Sequence, residues 1–175
     1  QFAFTGRLDD VRLYDRALSD AEIAVLAGQA PLATPSASPS VVYLDDLPVT
    51  EDKGGQKVKV RGVGQGGKPL VWQGKNPSHS LLMAPTGNQT HRVSYQLDGG
   101  YETLAADVGL SEETTKNDAQ SPLTFRVVGD GRELWKSKPL RARDKGAKCS
   151  IKMKKAKAIA LVVECPGAND WAWAV

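Results

Sequence analysis

Residues 123–137 read LTFRVVGDGRELWKS. Leu123, Phe125 and Val127 fall on one side of an extended chain, because successive side chains of a strand point to opposite faces. Asp130-Gly131 then interrupts the pattern before RELWK resumes it. Asp and Gly both tolerate positive φ, which a two-residue hairpin turn demands at its centre, so the stretch predicts two antiparallel strands. The same period of two recurs in HRVSYQL (Val93, Tyr95, Leu97), TLAADVGL (Leu104, Ala106, Val108), CSIKM and AIALVVE. Short strands at this density, separated by Gly, Pro, Asn and Asp with no helical stretch between them, predict an all-β antiparallel sandwich or barrel from Val41 onward.

A chain of 175 residues accommodates one well-buried domain plus part of a neighbour. Its 41% hydrophobic and 25% charged residues are those of an ordinary globular protein. No apolar run approaches the roughly 20 residues that span a bilayer, and the start lacks the basic and apolar regions of a signal peptide. The chain therefore reads as a piece of a longer protein. Charge is unevenly spread: Lys136–Lys157 holds ten Lys or Arg against Asp144 alone, a net +9, which leaves −6 for the remainder. Two readings fit this run: solvated strands whose edge lysines discourage aggregation, or a face that attracts polyanions such as sulfated or uronic polysaccharide. Nucleic acid is not expected as a partner.

Upstream of Val41 the pattern changes. In FTGRLDDVRLYDRALSDAEIAVLAG, Val11 and Leu13 alternate with Arg12 and Tyr14 as a short strand. Ser19 and Glu22 then stand at capping-box spacing before Ile23, Leu26 and Ala27, which share a helical face, and Gly28 is a natural stop. Residues 29–40, QAPLATPSASPS, have the composition of a semi-extended linker. Thr5 to about Leu26 closely resembles the carboxy-terminal end of laminin-G-like, concanavalin-type jelly-roll domains. The expected organisation is thus a remnant of such a domain over 1–28, a linker over 29–40 and a β-sandwich over 41–175.

The two cysteines alternate with apolar residues, Cys149 with Ile151 and Met153, Cys165 with Val163 and Leu161. A hairpin turning near Lys157 would set Cys149 opposite Cys165, predicting a disulfide and an oxidising compartment; two buried free thiols are the alternative. Gly62, Gly64, Gly66, Gly67 and Lys68 imitate a phosphate-binding loop, but Pro69 stands where Ser or Thr is required, and Leu70-Val71-Trp72 reads as a strand rather than the helix such a loop needs. His79 and His91 lack the spacing of a metal pair, and His91, opening a strand, reads as a surface residue. No nucleophile elbow is present, and enzymatic activity is not expected. Sugar rings present apolar C–H faces to Trp or Tyr and hydroxyls to polar side chains, which draws attention to Trp72, Trp135, Trp171 and Trp173. Each reads as a core residue before it reads as a stacking platform.

Taken together, YLDDL at 43–47, GGKPLVWQGK at 66–75, MAPTGNQTHRVSYQLDGGYETLAADVGL at 83–110, LTFRVVGDGRELWKSKPLR at 123–141, KAIALVVE at 157–164 and NDWAWAV at 169–175 resemble, in order and spacing, the NPCBM family of galactose-type carbohydrate-binding modules appended to bacterial glycoside hydrolases and other secreted proteins. The resemblance implies a jelly-roll β-sandwich of the galactose-binding kind, a structural Ca2+ in many members, attached domains of a parent protein, an extracellular, cell-surface or periplasmic location, and a glycan ligand held by end loops. It points to Glu112, Glu113 and Asp170 as hydrogen-bond partners, with Trp171 and His79 beside them. Two departures stand out. Met83-Ala84-Pro85-Thr86 replaces a His-Ala-Pro-Ser segment, and 168–173, ANDWAW, replaces a motif that often opens with His. A structural or protein-interaction sandwich without sugar binding is the alternative function.

Overall fold

The computed structural model describes residues 41–112 and 121–168. The chain divides into two compact units, Gln1–Val41 and Val42–Val175. The strand and helix expected over 1–28 and the linker over 29–40 lie outside the described residues.

Nine strands are described: β1 (Val49–Lys53), β2 (Gly55–Val60), β3 (Leu81–Pro85), β4 (Thr90–Gln96), β5 (Thr103–Val108), β6 (Thr124–Gly129), β7 (Arg132–Lys136), β8 (Ala147–Lys152) and β9 (Ala158–Glu164). Every pairing between them is antiparallel. One layer is a five-stranded sheet in the order β1-β4-β9-β6-β7; β2–β3 and β5–β8 form two further two-stranded sheets. The fold is the all-β jelly-roll sandwich that the period-two runs and the resemblance predict.

The alternation does what the pattern requires. On β4, His91, Val93 and Tyr95 are buried while Thr90 and Gln96 are exposed. These side chains join Met83 from β3, Phe125 and Val127 from β6, Cys149 from β8, and Ile159 and Val163 from β9 in one core. β9 lies at the centre of the larger sheet and is enclosed on both faces, since Ala160 and Val162 pack with Val128 in a second cluster. That explains why AIALVVE is nearly continuous in apolar residues rather than strictly alternating. Asp130 and Gly131 take φ of 46° and 78°, forming the turn that the Asp-Gly pair predicts.

Three expectations are corrected. The hairpin between β8 and β9 does not form: β8 pairs with β5, setting Cys149 opposite Ala106, while β9 pairs with β4 and β6. Cys149 and Cys165 are consequently not cross-strand neighbours, and both are buried free thiols. Two strands with apolar inward faces suit opposite sides of a sandwich as well as a hairpin, so the alternation alone does not choose between them. His91 is fully buried rather than exposed, since β4 is flanked by β1 and β9 and its phase turns His91 toward the core. Its Nε2 lies 2.7 Å from Asp52 Oδ1, which makes the burial tolerable. Finally, Leu70-Val71-Trp72 is not a strand; the stretch makes only single bridges, Val63 with Pro69 and Trp72 with Lys75.

Candidate functional site

The connection from β2 to β3, residues 61–80, carries the loop that organises one candidate ligand-facing surface. Within it the chain reverses at Trp72–Lys75, where the Trp72 N–H donates to the Lys75 carbonyl at 2.9 Å and the Lys75 N–H to that of Trp72 at 3.0 Å. Gln73 and Gly74 supply the central positions, with φ of 51° and 72°. This turn is held against two other loops. The Glu112 N–H donates to the Val71 carbonyl at 3.0 Å, and Gly74 N–H donates to Glu112 Oε1 at 2.6 Å. On the other side, Gln73 Nε2 donates to the Lys145 carbonyl at 2.6 Å.

Two glycines let the Trp72 indole lie between these loops. A Cβ at Gly109 would sit 2.6 Å from Trp72 Nε1, and one at Gly146 3.1 Å from its Cζ2, distances that the tryptophan could accept only by moving. Gly146 also has φ of 80° and would meet the Val108 carbonyl, so its place in the loop before β8 calls for glycine twice over. The result is a half-buried indole fixed by backbone on both flanks. Around it stand an amide, a carboxylate and exposed backbone. Such a surface can stack against an apolar sugar face while neighbouring polar atoms meet hydroxyls.

The predicted site residues fare differently. Glu112 reaches this surface, although its carboxylate already holds the turn at Gly74. His79 is drawn into a separate cluster near the start of the sandwich. Its ring stacks on Tyr43, centroids 3.5 Å apart and nearly parallel, and its Nδ1 lies 3.1 Å from Asp45 Oδ1. The second Asp45 oxygen accepts from the Ser80 N–H at 3.2 Å, so His79 joins residues 43–46 to the approach to β3. Glu113, Asp170 and Trp171 lie outside the described residues. Trp72, one of the four tryptophans that the sequence raises, was not among the residues expected to meet the ligand. Its signal was its position directly before Gln-Gly, where a turn leaves the preceding side chain at a loop tip.

Asp45, Asp46 and His79 are also the described residues whose ligating atoms come close enough to hold a metal ion, within 4.8 Å of one another. They do not suit Ca2+, which takes six to eight oxygen ligands. Two carboxylates and an imidazole nitrogen fall short of that set, Asp45 is engaged by His79 and Ser80, and Asp46 is paired with Arg61 at 2.7 Å. Met83, at the first position of the altered His-Ala-Pro-Ser segment, is 4% exposed and part of the main core. It presents no polar group where the resemblance would place an imidazole.

Comparison with known proteins agrees with the architecture. The family model for the NPCBM/NEW2 domain matches residues 40–175. Among solved structures, the CBM51-2 and INT domains of ZmpB from Clostridium perfringens superpose with a TM-score of 0.63 at 19% identity, covering 75% of this chain and 29% of that one. The CBM51 of a Clostridium perfringens GH95 protein, solved in complex with methyl-galactose, gives 0.63 at 16% identity over 76% of this chain and 93% of that one. Tandem CBM51 modules of Sp3GH98, a family 98 glycoside hydrolase from Streptococcus pneumoniae, give 0.62 at 18% identity over 76% and 44%. The chain thus spans less than a third of the ZmpB structure and less than half of the Sp3GH98 structure. At such identities the likeness concerns fold. No curated protein sequence matches the chain.

Proposed function

Because the chain belongs to the NPCBM/NEW2 domain family over residues 40–175, we propose that its sandwich is a non-catalytic carbohydrate-binding module that holds a larger protein to glycan. The observation that carries this reading is the Trp72 indole, laid on Gly109 and Gly146 and bordered by Gln73 and Glu112. Binding of this kind asks for no nucleophile and no acid–base pair, only a stacking face and hydrogen-bonding groups that replace water. A shallow site of this size supports weak affinity, about 0.1–1 mM, because hydroxyl–water bonds are exchanged with little surplus. Solved neighbours in complex with methyl-galactose and with GlcNAc support starting from hexoses of those two kinds. Galactose-type specificity, Glu113, Asp170 and Trp171 as further contacts, and a laminin-G-like neighbour before residue 28 remain parts of the proposal.

The location proposed is outside the cytoplasm of a bacterium, at the cell surface, in the periplasm or beyond. This rests on the kind of protein to which such modules are appended; with both thiols free, no disulfide argues for it. Among the described residues no helix is long and apolar enough to cross a membrane. The structural calcium ion implied by the resemblance stays part of the proposal; the cluster of Asp45, Asp46 and His79 would not hold it by its side chains alone, so backbone carbonyls would have to complete the set.

Calorimetric titration with methyl-galactose and GlcNAc tests the proposal. Binding is expected in the wild type, and Trp72→Ala weakens it about tenfold or more, the ~1.4 kcal/mol of a lost stacking face, with the circular dichroism of the sandwich unchanged. Absence of binding to a broad panel of neutral and acidic glycans would instead favour the second reading, a structural sandwich that spaces domains. The burial of Met83 and the structural engagement of Glu112 are the observations on that side.

A further inference from the structure

The basic run divides on folding, and its second half gathers at the β8–β9 turn. Lys148 and Lys152 lie on the exposed side of β8, four residues apart and therefore on one face. The chain then reverses through Met153–Ala156, where the Ala156 N–H donates to the Met153 carbonyl at 2.9 Å. Lys154 and Lys155 occupy the two central positions with φ of 48° and 60°. Turns with positive φ at both centres are the natural place for Asn-Gly or Asp-Gly, and the Asp130-Gly131 turn of this same chain obeys that rule. Two lysines there are sterically costly, and a strained backbone retained in a fold points toward a use for the side chains it presents.

Those side chains are uncommitted. Lys152, Lys154, Lys155 and Lys157 are exposed and form no ion pair among the described residues, whereas Lys53, Arg61, Arg92, Arg126 and Lys136 all do. Nearby carboxylates are turned to backbone amides instead. Asp130 Oδ1 accepts from the N–H groups of Lys157 and Ala158 at 3.1 and 2.9 Å, and Asp98 from that of Gly100 at 2.8 Å. Along β5 the residues facing Lys152, Ser150 and Lys148 are Thr103, Ala105 and Asp107, so the surface beside the lysines is low and carries one acid, opposite Lys148; Glu102 borders it. The bond from Asp130 to Lys157 also fastens this turn to the β6–β7 turn, which fixes the strip in place.

We propose that the strip from Lys148 to Lys157 is a second glycan-binding surface, one that takes a linear anionic polysaccharide through its sulfate or carboxylate groups. At about 3.3 Å per residue, β8 alone gives it a length of roughly 20 Å, suited to an extended chain rather than a single sugar. It shares no residue with the Trp72 surface and acts independently of it.

The test measures binding of the whole chain to heparin, polygalacturonate, neutral galactan and single-stranded DNA. Retention by heparin or polygalacturonate is expected, with the stronger of the two identifying sulfate or carboxylate as the group recognised, and it falls about tenfold or more between about 0.05 M and about 0.5 M NaCl. The double substitution Lys154→Asn with Lys155→Gly gives the turn its preferred residues, so it raises the melting temperature while weakening polyanion binding about fivefold or more. Methyl-galactose binding at Trp72 is untouched by it. Unchanged polyanion binding in the double variant, indifference to salt, or DNA held as firmly as the best polysaccharide would each overturn the proposal.

Discussion

Tyr95 shows how much a single buried group decides in this sandwich. It is fully enclosed, and its hydroxyl meets no hydrogen-bonding partner among the described residues. Burial, followed by the Asp45 and Asp52 carboxylates, pushes the phenol up to about 12. A folded-state value above the unfolded one favours the protonated form, so this contribution to stability is complete below about pH 10 and is lost as pH rises through about 12. Tyr95→Phe is therefore expected to be as stable as the wild type or more so at neutral pH, by up to about 1 kcal/mol, because an unpaired buried hydroxyl is removed. It should also lose less stability than the wild type between pH 10 and 12 in denaturant titrations; a clear loss at neutral pH would show that the hydroxyl is bonded. The thiols give a second test. Burial pushes Cys149 up to about 11, which leaves little thiolate at neutral pH. A thiol reagent should label neither cysteine in the folded protein and both after unfolding without reductant. Labelling of none after unfolding would restore the disulfide. At this scale the phase of β4 was legible, since His91 is two residues from Val93, but the cover over that end of the strand was not, and so His91 read as exposed.

The turns divide into those the sequence announces and those it does not. Asp130-Gly131 announces itself because both residues tolerate positive φ. Lys154-Lys155 adopts the same kind of geometry without any local preference for it, so the chain's passage there from β8, paired with β5, to β9, paired with β4 and β6, could not be read locally. Strand pairing between residues 43 positions apart, as between Ala106 and Cys149, is settled by the collective fit of two layers. The Trp72 turn belongs with the unannounced ones, since only the approach of Gly109 and Gly146 fixes the indole. Gly109→Ala tests this: its Cβ would fall 2.6 Å from Trp72 Nε1, so the indole must move. The expected outcome is a shifted tryptophan emission and weaker sugar binding with the strand content retained; unaltered emission and affinity would show that Gly109 does not position the indole.

For the whole molecule, the period of two and the absence of helical stretches after Val41 were enough to reach an antiparallel sandwich, because one face of each strand must be dry and only a second layer can keep it so. The family resemblance added which sandwich it is. The site was less legible: the sequence supplied candidates by type, whereas a binding surface depends on which loops meet, and Trp72, Glu112 and Gly146 come from three connections separated by tens of residues. Sugar recognition by these loops, with no reactive side chain involved, is most directly tested by titrating the isotopically labelled chain with methyl-galactose and GlcNAc while following amide and indole resonances. Saturable shifts concentrated at the Trp72 indole, Gln73, Gly74, Glu112, Lys145 and Gly146 are predicted; saturable shifts that leave these residues unmoved, or none up to about 10 mM sugar, well above the weak affinity expected, would contradict the account.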